Sequence, residues 1–433
     1  MPQLNTSATV TEFLNSSTEA QMRAAANVVS EADLALPQNN IHSRLTIVDI
    51  NNEFAAVIAG NIPDGVLQNN TNANKIFWGN NVISIGGNAF NGCNGLTGDL
   101  IIPNTVTSIG TYAFNGCTGF SGDLIIPNSV SSVDSGTFAG CSGFTGNLTI
   151  GSGITSISYG MFYGCTGFTG SLTIGNSVTN IGQYAFVGCS GLSGNLVIPN
   201  SVTTIETNAF YGCTGFTGDL VIGNALTDIS SIFDPMVNFT GTLTIGTSVG
   251  SIPSYAFNTV LFTGSLIIPD SVTSIGDHAF NSCTGFNGTL TIGTGVTSIG
   301  SLAFYICDGF TGSLTIPDSV TSIGNSAFSG CDGFTGGLTI SNSVTTIGDS
   351  TFAGCSGFTG ILNISSPITS IGAYAFNGCV GFTEINIYAA TAPTIGSNAF
   401  YGMTGVSPAE IHVPVGATGY SASYDGLTVV YDL

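Results

Sequence analysis

The chain of 433 residues has almost no positive charge: three basic residues, Arg23, Arg44 and Lys75, stand against 24 Asp and Glu, for a formal net charge of −21. After Lys75 there are 17 acidic residues and not one Lys or Arg. A surface of that kind cannot neutralise phosphates and release their counterions, which excludes nucleic acid as a partner and disfavours anionic membranes. Long apolar runs are missing too. No stretch of 18 apolar residues offers a membrane span, the opening MPQLNTSATVTEF has neither a basic region nor an apolar core of a secretory signal, and the C-terminus shows no anchor. Histidine is scarce, and His42, His278 and His412 sit in no nucleophile–base–orienter arrangement, so no catalytic residue is expected and the protein is read as a non-enzyme without a cofactor. Solubility must come from Ser, Thr, Asn and a uniform negative field, as on an extracellular, cell-surface or virion-exposed protein.

What is present in abundance is repetition. Phe90, Phe114, Phe138, Phe162, Phe186, Phe210, Phe233, Phe257, Phe280, Phe304, Phe328, Phe352, Phe376 and Phe400 recur every 24 residues, with two spacings of 23. The unit Leu314 to Gly337 shows the pattern, LTIPDSVTSIGNSAFSGCDGFTGG. Its apolar positions follow neither a helical nor a simple strand period, as expected of a coil turning side chains inward at several corners. Only the Leu-x-Ile triplet alternates, and it predicts one short strand per coil, stacked at about 4.8 Å into a single parallel sheet of about fifteen coils spanning roughly 70 Å. Pro103, Pro127, Pro199, Pro269 and Pro317, or Gly at the same place in Gly151, Gly175, Gly223, Gly246 and Gly293, end that strand and turn the chain.

The run SVTSIGDHAF, Ser271 to Phe280, followed by Cys283, resembles the units of the BspA-like leucine-rich repeat family, and the resemblance extends from Ile76 to Leu433. It implies a repeat solenoid with an adhesive or recognition role. One departure is that the strand Leu stands four residues after the second Phe in most coils, as in Phe120 to Leu124, where the family usually has three, as in Phe382 to Ile385. The insertion should widen a loop and leave the strand stack intact. The ending from Ile411 resembles a terminal cap, with Tyr420, Tyr424 and Leu427 covering the last coil, a lid that a solenoid needs. Three domains are therefore expected: a non-repeating module at 1–75, the solenoid at 76–410 and the cap at 411–433.

Eleven cysteines, Cys93 to Cys379, invite a disulfide or metal reading, yet all stand three residues after a Phe, where other coils carry Met236, Val260 and Met403. A position that accepts Met and Val is a core position, so these are expected to be buried free thiols. Asp99, Asp123 and Asp219 precede the strand in some coils, but Asn147, Ser171, Thr242 and Ser265 replace them in others. No calcium ladder runs through that position.

The strand midpoints, Ile101, Ile125, Thr149, Thr173, Val197, Val221, Thr244, Ile267, Thr291, Thr315 and Thr339, are predicted to point outward as a charge-free stripe of β-branched residues. Strand propensity alone accounts for such residues. The stripe is equally a candidate docking surface for a protein or glycan on a host or partner surface. Its Thr content also resembles ice-binding solenoids, and the loops around Gly119 to Asp123 are the alternative site. An architectural spacer or sheath protein without a specific ligand is the competing function.

In the first module Ser16 and Glu19 form a capping box opening a helix through Met22, Ala25, Val28 and Val29. Phe13, Leu14, Arg23, Ala24 and Ala25 match a segment resembling those of phage tail fibres, without the Leu-Gly that commonly closes it. That resemblance implies a homo-oligomer, a trimer above all, formed through residues 1–75; the alternative is a helix that caps the first coil.

Overall fold

The computed structural model describes residues 45–50, 53–58, 61–78, 82–230 and 238–433. The expected helix from Ser16, and the repeat positions Phe233 and Met236, lie outside the described residues. Two compact units, Met1–Phe216 and Thr217–Leu433, divide the chain.

In the first unit, the strands Gly98–Ile101, Phe120–Ile126, Leu148–Ile150 and Leu172–Thr173 form a parallel sheet in which like pairs with like: Leu124 opposite Leu148, Ile125 opposite Thr149, Ile126 opposite Ile150. One residue of slip would turn the Leu and Ile out to solvent, so burial fixes this register. A second parallel ladder runs along another side of each coil, through Ser84–Ile85, Ser108–Ile109 and Ser132–Val133, and through Ser156–Ile157, Asn180–Ile181 and Thr204–Ile205. This corrects the expectation of a single sheet. Two residues carry no legible alternation, and the Ser-Ile pair reads as part of a turn until its partner one coil away is known.

The second unit repeats both ladders. Leu220 and Val221 pair with Leu243 and Thr244, Leu266–Ile268 with Leu290–Ile292, and a seven-stranded sheet runs from Leu314–Thr315 to the C-terminus. Its second ladder takes Ser251–Ile252 through Ser322–Ile323 and Thr346–Ile347 through Thr394–Ile395. Thirteen of these two-residue strands are present among the described residues. The coil containing Asp228 and Ile229 lacks one.

No helix occurs among the described residues, although Ala-Phe-rich segments could have suggested one. The backbone supplies the reason: around every described repeat Phe, the residue two before it and the residue two after it both take positive φ, as at Tyr374 (59°) and Gly378 (73°) around Phe376. Left-handed residues at that spacing bend the chain back before a helical turn can propagate. Most of these bends are tied to the next coil by the Phe amide, Phe114 to the Thr137 carbonyl at 2.9 Å and Phe376 to the Ala399 carbonyl at 2.8 Å, and Phe400 donates instead to the Asp425 carboxylate at 2.9 Å.

The core is two columns of phenylalanine. Phe90, Phe114, Phe138, Phe162, Phe186 and Phe210 stack at 5.0–5.7 Å in the first unit, and Phe257 through Phe400 stack at 5.2–5.8 Å in the second. A second column, Phe120, Phe144 and Phe168, and in the other unit Phe239 through Phe382, fills the far side of each coil. Removing one such ring costs about 3–5 kcal/mol where the neighbours cannot close in. Close approach also explains much of the glycine: a Cβ on Gly309 would lie 1.8 Å from the Phe286 carbonyl oxygen of the preceding coil.

Both ends are covered. The hairpin Leu45–Ile50 and Glu53–Ile58 joins Lys75–Trp78, and Trp78 meets Phe90 edge-on at 5.9 Å. Solenoid hydrogen bonding begins at Ile62, whose amide reaches the Ser84 carbonyl at 2.9 Å, well before residue 76. Leu67 replaces Phe in this first coil, so an alignment on Phe passes over it. At the other end Leu427–Tyr431 pairs with Glu410–Val413 and folds back on Ser423–Tyr424; Leu427 is buried, and the Tyr420 hydroxyl donates to the Ala389 carbonyl at 2.8 Å.

Candidate docking face

Every Leu-x-Ile strand buries its first and third side chains and turns the middle one out, so the candidate residues follow from the pleat. Ile101, Ile125, Thr173, Val197, Thr244, Ile267, Thr291, Thr315 and Thr339 are exposed, and Thr149 and Val221 half-buried. Exposure of the apolar members is large, 52% at Ile101, 53% at Ile125 and 63% at Ile267. In the first unit a groove of about 780 Å³ passes over Ile101, Ile125 and Thr149, with Asp99, Asp123 and Asn128 along it. In the second, a groove of about 450 Å³ lies over Thr339, Asn363 and Tyr388. Gly119 to Asp123, expected as a loop, runs largely within the strand Phe120–Ile126.

The acidic and amide side chains beside this face are used within the protein. Asp123 accepts the amide of Asn147 at 2.6 Å, and Asn147 in turn accepts the amide of Ser171 at 2.9 Å. Asp219 does the same for Thr242 at 2.7 Å, and beside the second ladder Asp277 accepts the Ser301 amide, also at 2.7 Å. Asp270 accepts both the Thr294 amide and its hydroxyl, and these bonds hold its carboxyl below the usual carboxylate range. Each is a staple between consecutive coils, satisfying an amide that the short strands leave unpaired. Among the described residues no group of three or more His, Cys, Asp or Glu is arranged to hold a metal ion.

The cysteine column is equally structural. All eleven thiols are free and buried. Each donates to the carbonyl of the repeat residue one coil back, Cys117 to Phe90 and Cys141 to Phe114 at 3.0 Å, while that same carbonyl also accepts the amide of its own coil, as Phe114 does from Cys117. Burial pushes Cys93 up to about 11 and Cys213, Cys331 and Cys379 up to about 12. A thiolate nucleophile or metal ligand is disfavoured by that environment.

Beyond Thr339 the middle column changes character. Register places Thr339 beside Asn363, Asn363 beside Asn386, and Asn386 beside His412. The His412 Nδ1 lies 2.9 and 3.1 Å from the two carboxylate oxygens of Asp432. The stripe expected from the sequence ends at Thr339, although the same triplet, as Leu362-Asn363-Ile364 and Ile385-Asn386-Ile387, carries the column onward. The other described histidine, His278, stacks on Tyr255 at 4.7 Å; His42 lies outside the described residues.

Stacked parallel strands, one inward Leu and Ile per coil and a stacked Phe core within each unit define a leucine-rich-repeat solenoid, an architecture that presents extended surfaces for interaction. The sequence matches the BspA type leucine rich repeat region over residues 60–193, 190–311, 250–361 and 297–422, and the chain belongs to that family. Among solved structures it is similar to a leucine-rich repeat protein from Bacteroides ovatus, at 24% identity over 76% of this chain and 78% of that one, with a TM-score of 0.44. It is also similar to a leucine rich cell surface protein from Faecalibacterium prausnitzii, at 23% identity over 90% and 96% of the two chains, with a TM-score of 0.35. The pneumococcal vaccine antigen PcpA aligns at 15% identity over the same shares, with a TM-score of 0.34. No curated protein matched the chain. No helix among the described residues is long and apolar enough to cross a membrane.

Proposed function

We propose that this is a surface-exposed adhesion or recognition protein that docks a protein or glycan of a host or partner surface on the outward strand face. One observation carries the reading: within each unit, coil after coil turns a β-branched or amide side chain outward at the strand midpoint, and no Lys or Arg interrupts the column. An uncharged stripe that can be desolvated cheaply, bordered by polar staples already satisfied, is a surface suited to recognition. An extracellular location is supported by the same composition, which keeps the chain soluble through hydroxyls, amides and net negative charge. Placing Lys at Thr291, Thr315 and Thr339 should weaken attachment to cells at least tenfold without lowering the thermal midpoint; unchanged attachment by the folded variant contradicts the reading.

Mounting on a virion through residues 1–75 is the narrower form of this proposal and rests on the tail-fibre-like segment around Phe13, Leu14 and Arg23. Light scattering should then show an oligomer, a trimer first of all, for the full chain, and a monomer for a chain beginning at Leu45. A monomeric full chain removes this form of the proposal and leaves the docking face untouched.

A further inference from the structure

In most coils the residue five after the repeat Phe is a glycine held there by packing. A Cβ on Gly95 would lie 2.5 Å from the Thr71 carbonyl oxygen of the preceding coil, and one on Gly119 would lie 2.3 Å from that of Leu96, so the turn admits no larger residue. The residue before this glycine varies. It is Thr or Ser in most coils, Asp at Asp308 and Asp332, and Asn only at Asn94. An Asn followed by Gly is open to attack on its side-chain amide carbon by the next main-chain nitrogen, because glycine has no Cβ to obstruct the approach. The chain has five such pairs, Asn91-Gly92, Asn94-Gly95, Asn115-Gly116, Asn287-Gly288 and Asn377-Gly378.

The fold holds four of these pairs and leaves one open. The Gly92 amide donates to the Asn115 carbonyl at 2.7 Å, Gly116 to Ala139 at 2.8 Å, Gly288 to Gly264 at 3.0 Å and Gly378 to Tyr401 at 2.9 Å. A nitrogen whose proton is held by a carbonyl must break that bond before it can attack. Two of the side chains are held as well: Asn91 donates to Asn88 Oδ1 at 2.8 Å, and Asn287 Oδ1 accepts the Gly264 amide at 3.0 Å. The Gly95 amide makes no hydrogen bond among the described residues, and neither do the glycine amides at the same place in other coils, Gly119 to Gly405. Asn94 is exposed, whereas Asn91, Asn115 and Asn377 are half-buried. An exposed side chain and an unbonded following amide thus coincide at Asn94-Gly95 alone of the five.

We infer that Asn94 is a self-modification site, the asparagine that the folded chain deamidates ahead of the other four. The Gly95 nitrogen gives its proton to hydroxide and bonds to the Asn94 side-chain amide carbon. The side-chain nitrogen leaves as ammonia, and water opens the resulting cyclic imide at either carbonyl, giving aspartate or isoaspartate. Aspartate suits the position, which Asp308 and Asp332 occupy, exposed, in later coils. Isoaspartate adds a main-chain carbon between Cys93 and Leu96, both fully buried and joined by the Leu96 amide to the Cys93 carbonyl at 3.3 Å, and so loosens the first coils. The test incubates the full chain at mildly alkaline pH, in buffer and in denaturant, and follows each Asn-Gly pair by peptide mapping with mass spectrometry. In buffer Asn94 is expected to convert at least tenfold faster than Asn91, Asn115, Asn287 or Asn377. In denaturant, where no amide is held, the five rates are expected to converge. Asn94→Thr, which installs the residue found at Thr118, should remove the early release of ammonia. Conversion in buffer no faster at Asn94 than at the other four, a lead of Asn94 that persists undiminished in denaturant, or early ammonia release that survives Asn94→Thr overturns the inference.

Discussion

At the scale of the residue, the left-handed position two after each repeat Phe is where the fold tolerates strain. Glycine occupies it in most coils, but Thr259 and Ile306 hold φ of 64° and 52° there, a conformation that β-branched residues rarely adopt. Thr259 is exposed and its amide bond to the Asn281 carbonyl, 2.7 Å, does not need the side chain. Thr259→Gly should therefore stabilise the protein by about 1 kcal/mol, the relief of left-handed strain exceeding the added chain entropy of glycine. The reverse change, Gly354→Ala at φ 75°, meets its nearest neighbour only at 3.7 Å and should destabilise through conformation alone. Equilibrium denaturation of both variants checks the pair, and a destabilised Thr259→Gly would refute the strain argument. The cysteines make a second residue-scale prediction. Thiol titration of the folded chain should find almost no reactive groups, and the full eleven only in denaturant. Fast labelling of Cys213 or Cys331 in the native protein would contradict the buried column.

At the scale of the element, legibility follows span. The Leu-x-Ile strands, the Phe column and the positional cysteines can be read directly because each declares itself within one 24-residue unit. The second ladder cannot, since Ser108 and Ile109 become a strand only through Ser132 and Val133 one coil later. The staples are half visible: Asp123 and Asn147, or Asp277 and Ser301, stand one repeat apart, but variation among Asp, Asn and Ser at the position looks like the absence of a ladder rather than interchangeable acceptors for the same amide. The shorter coil at Phe382 is absorbed locally. Pairing shifts between Gly360 and Ile361 and returns to step at Leu362 with Ile385, so the departure from the usual spacing leaves the outward column in register. Of the candidate site, the outward direction of the midpoints is legible from the pleat, while the Asn363–Asn386–His412 continuation is hidden from a search that follows β-branched identity instead of the strand triplet.

At the scale of the molecule, each unit is a run of near-identical coils in which stability comes from neighbour upon neighbour, Phe on Phe and staple on amide. Interior and staple positions are thereby committed to structure, whereas the strand midpoints can vary from Ile to Thr to Asn without cost to the core. That freedom leaves the outward face open to the proposed docking role. The most direct measurement is attachment of the full chain to cells it adheres to, compared between two folded variants. One carries Lys at Thr291, Thr315 and Thr339 on the strand face; the other carries Lys at Tyr255 and Tyr374, exposed on the left-handed bends of the same unit. A docking strand face predicts at least a tenfold loss of attachment for the first and little change for the second. Attachment lost with the bend variant and kept with the strand-face variant would contradict it.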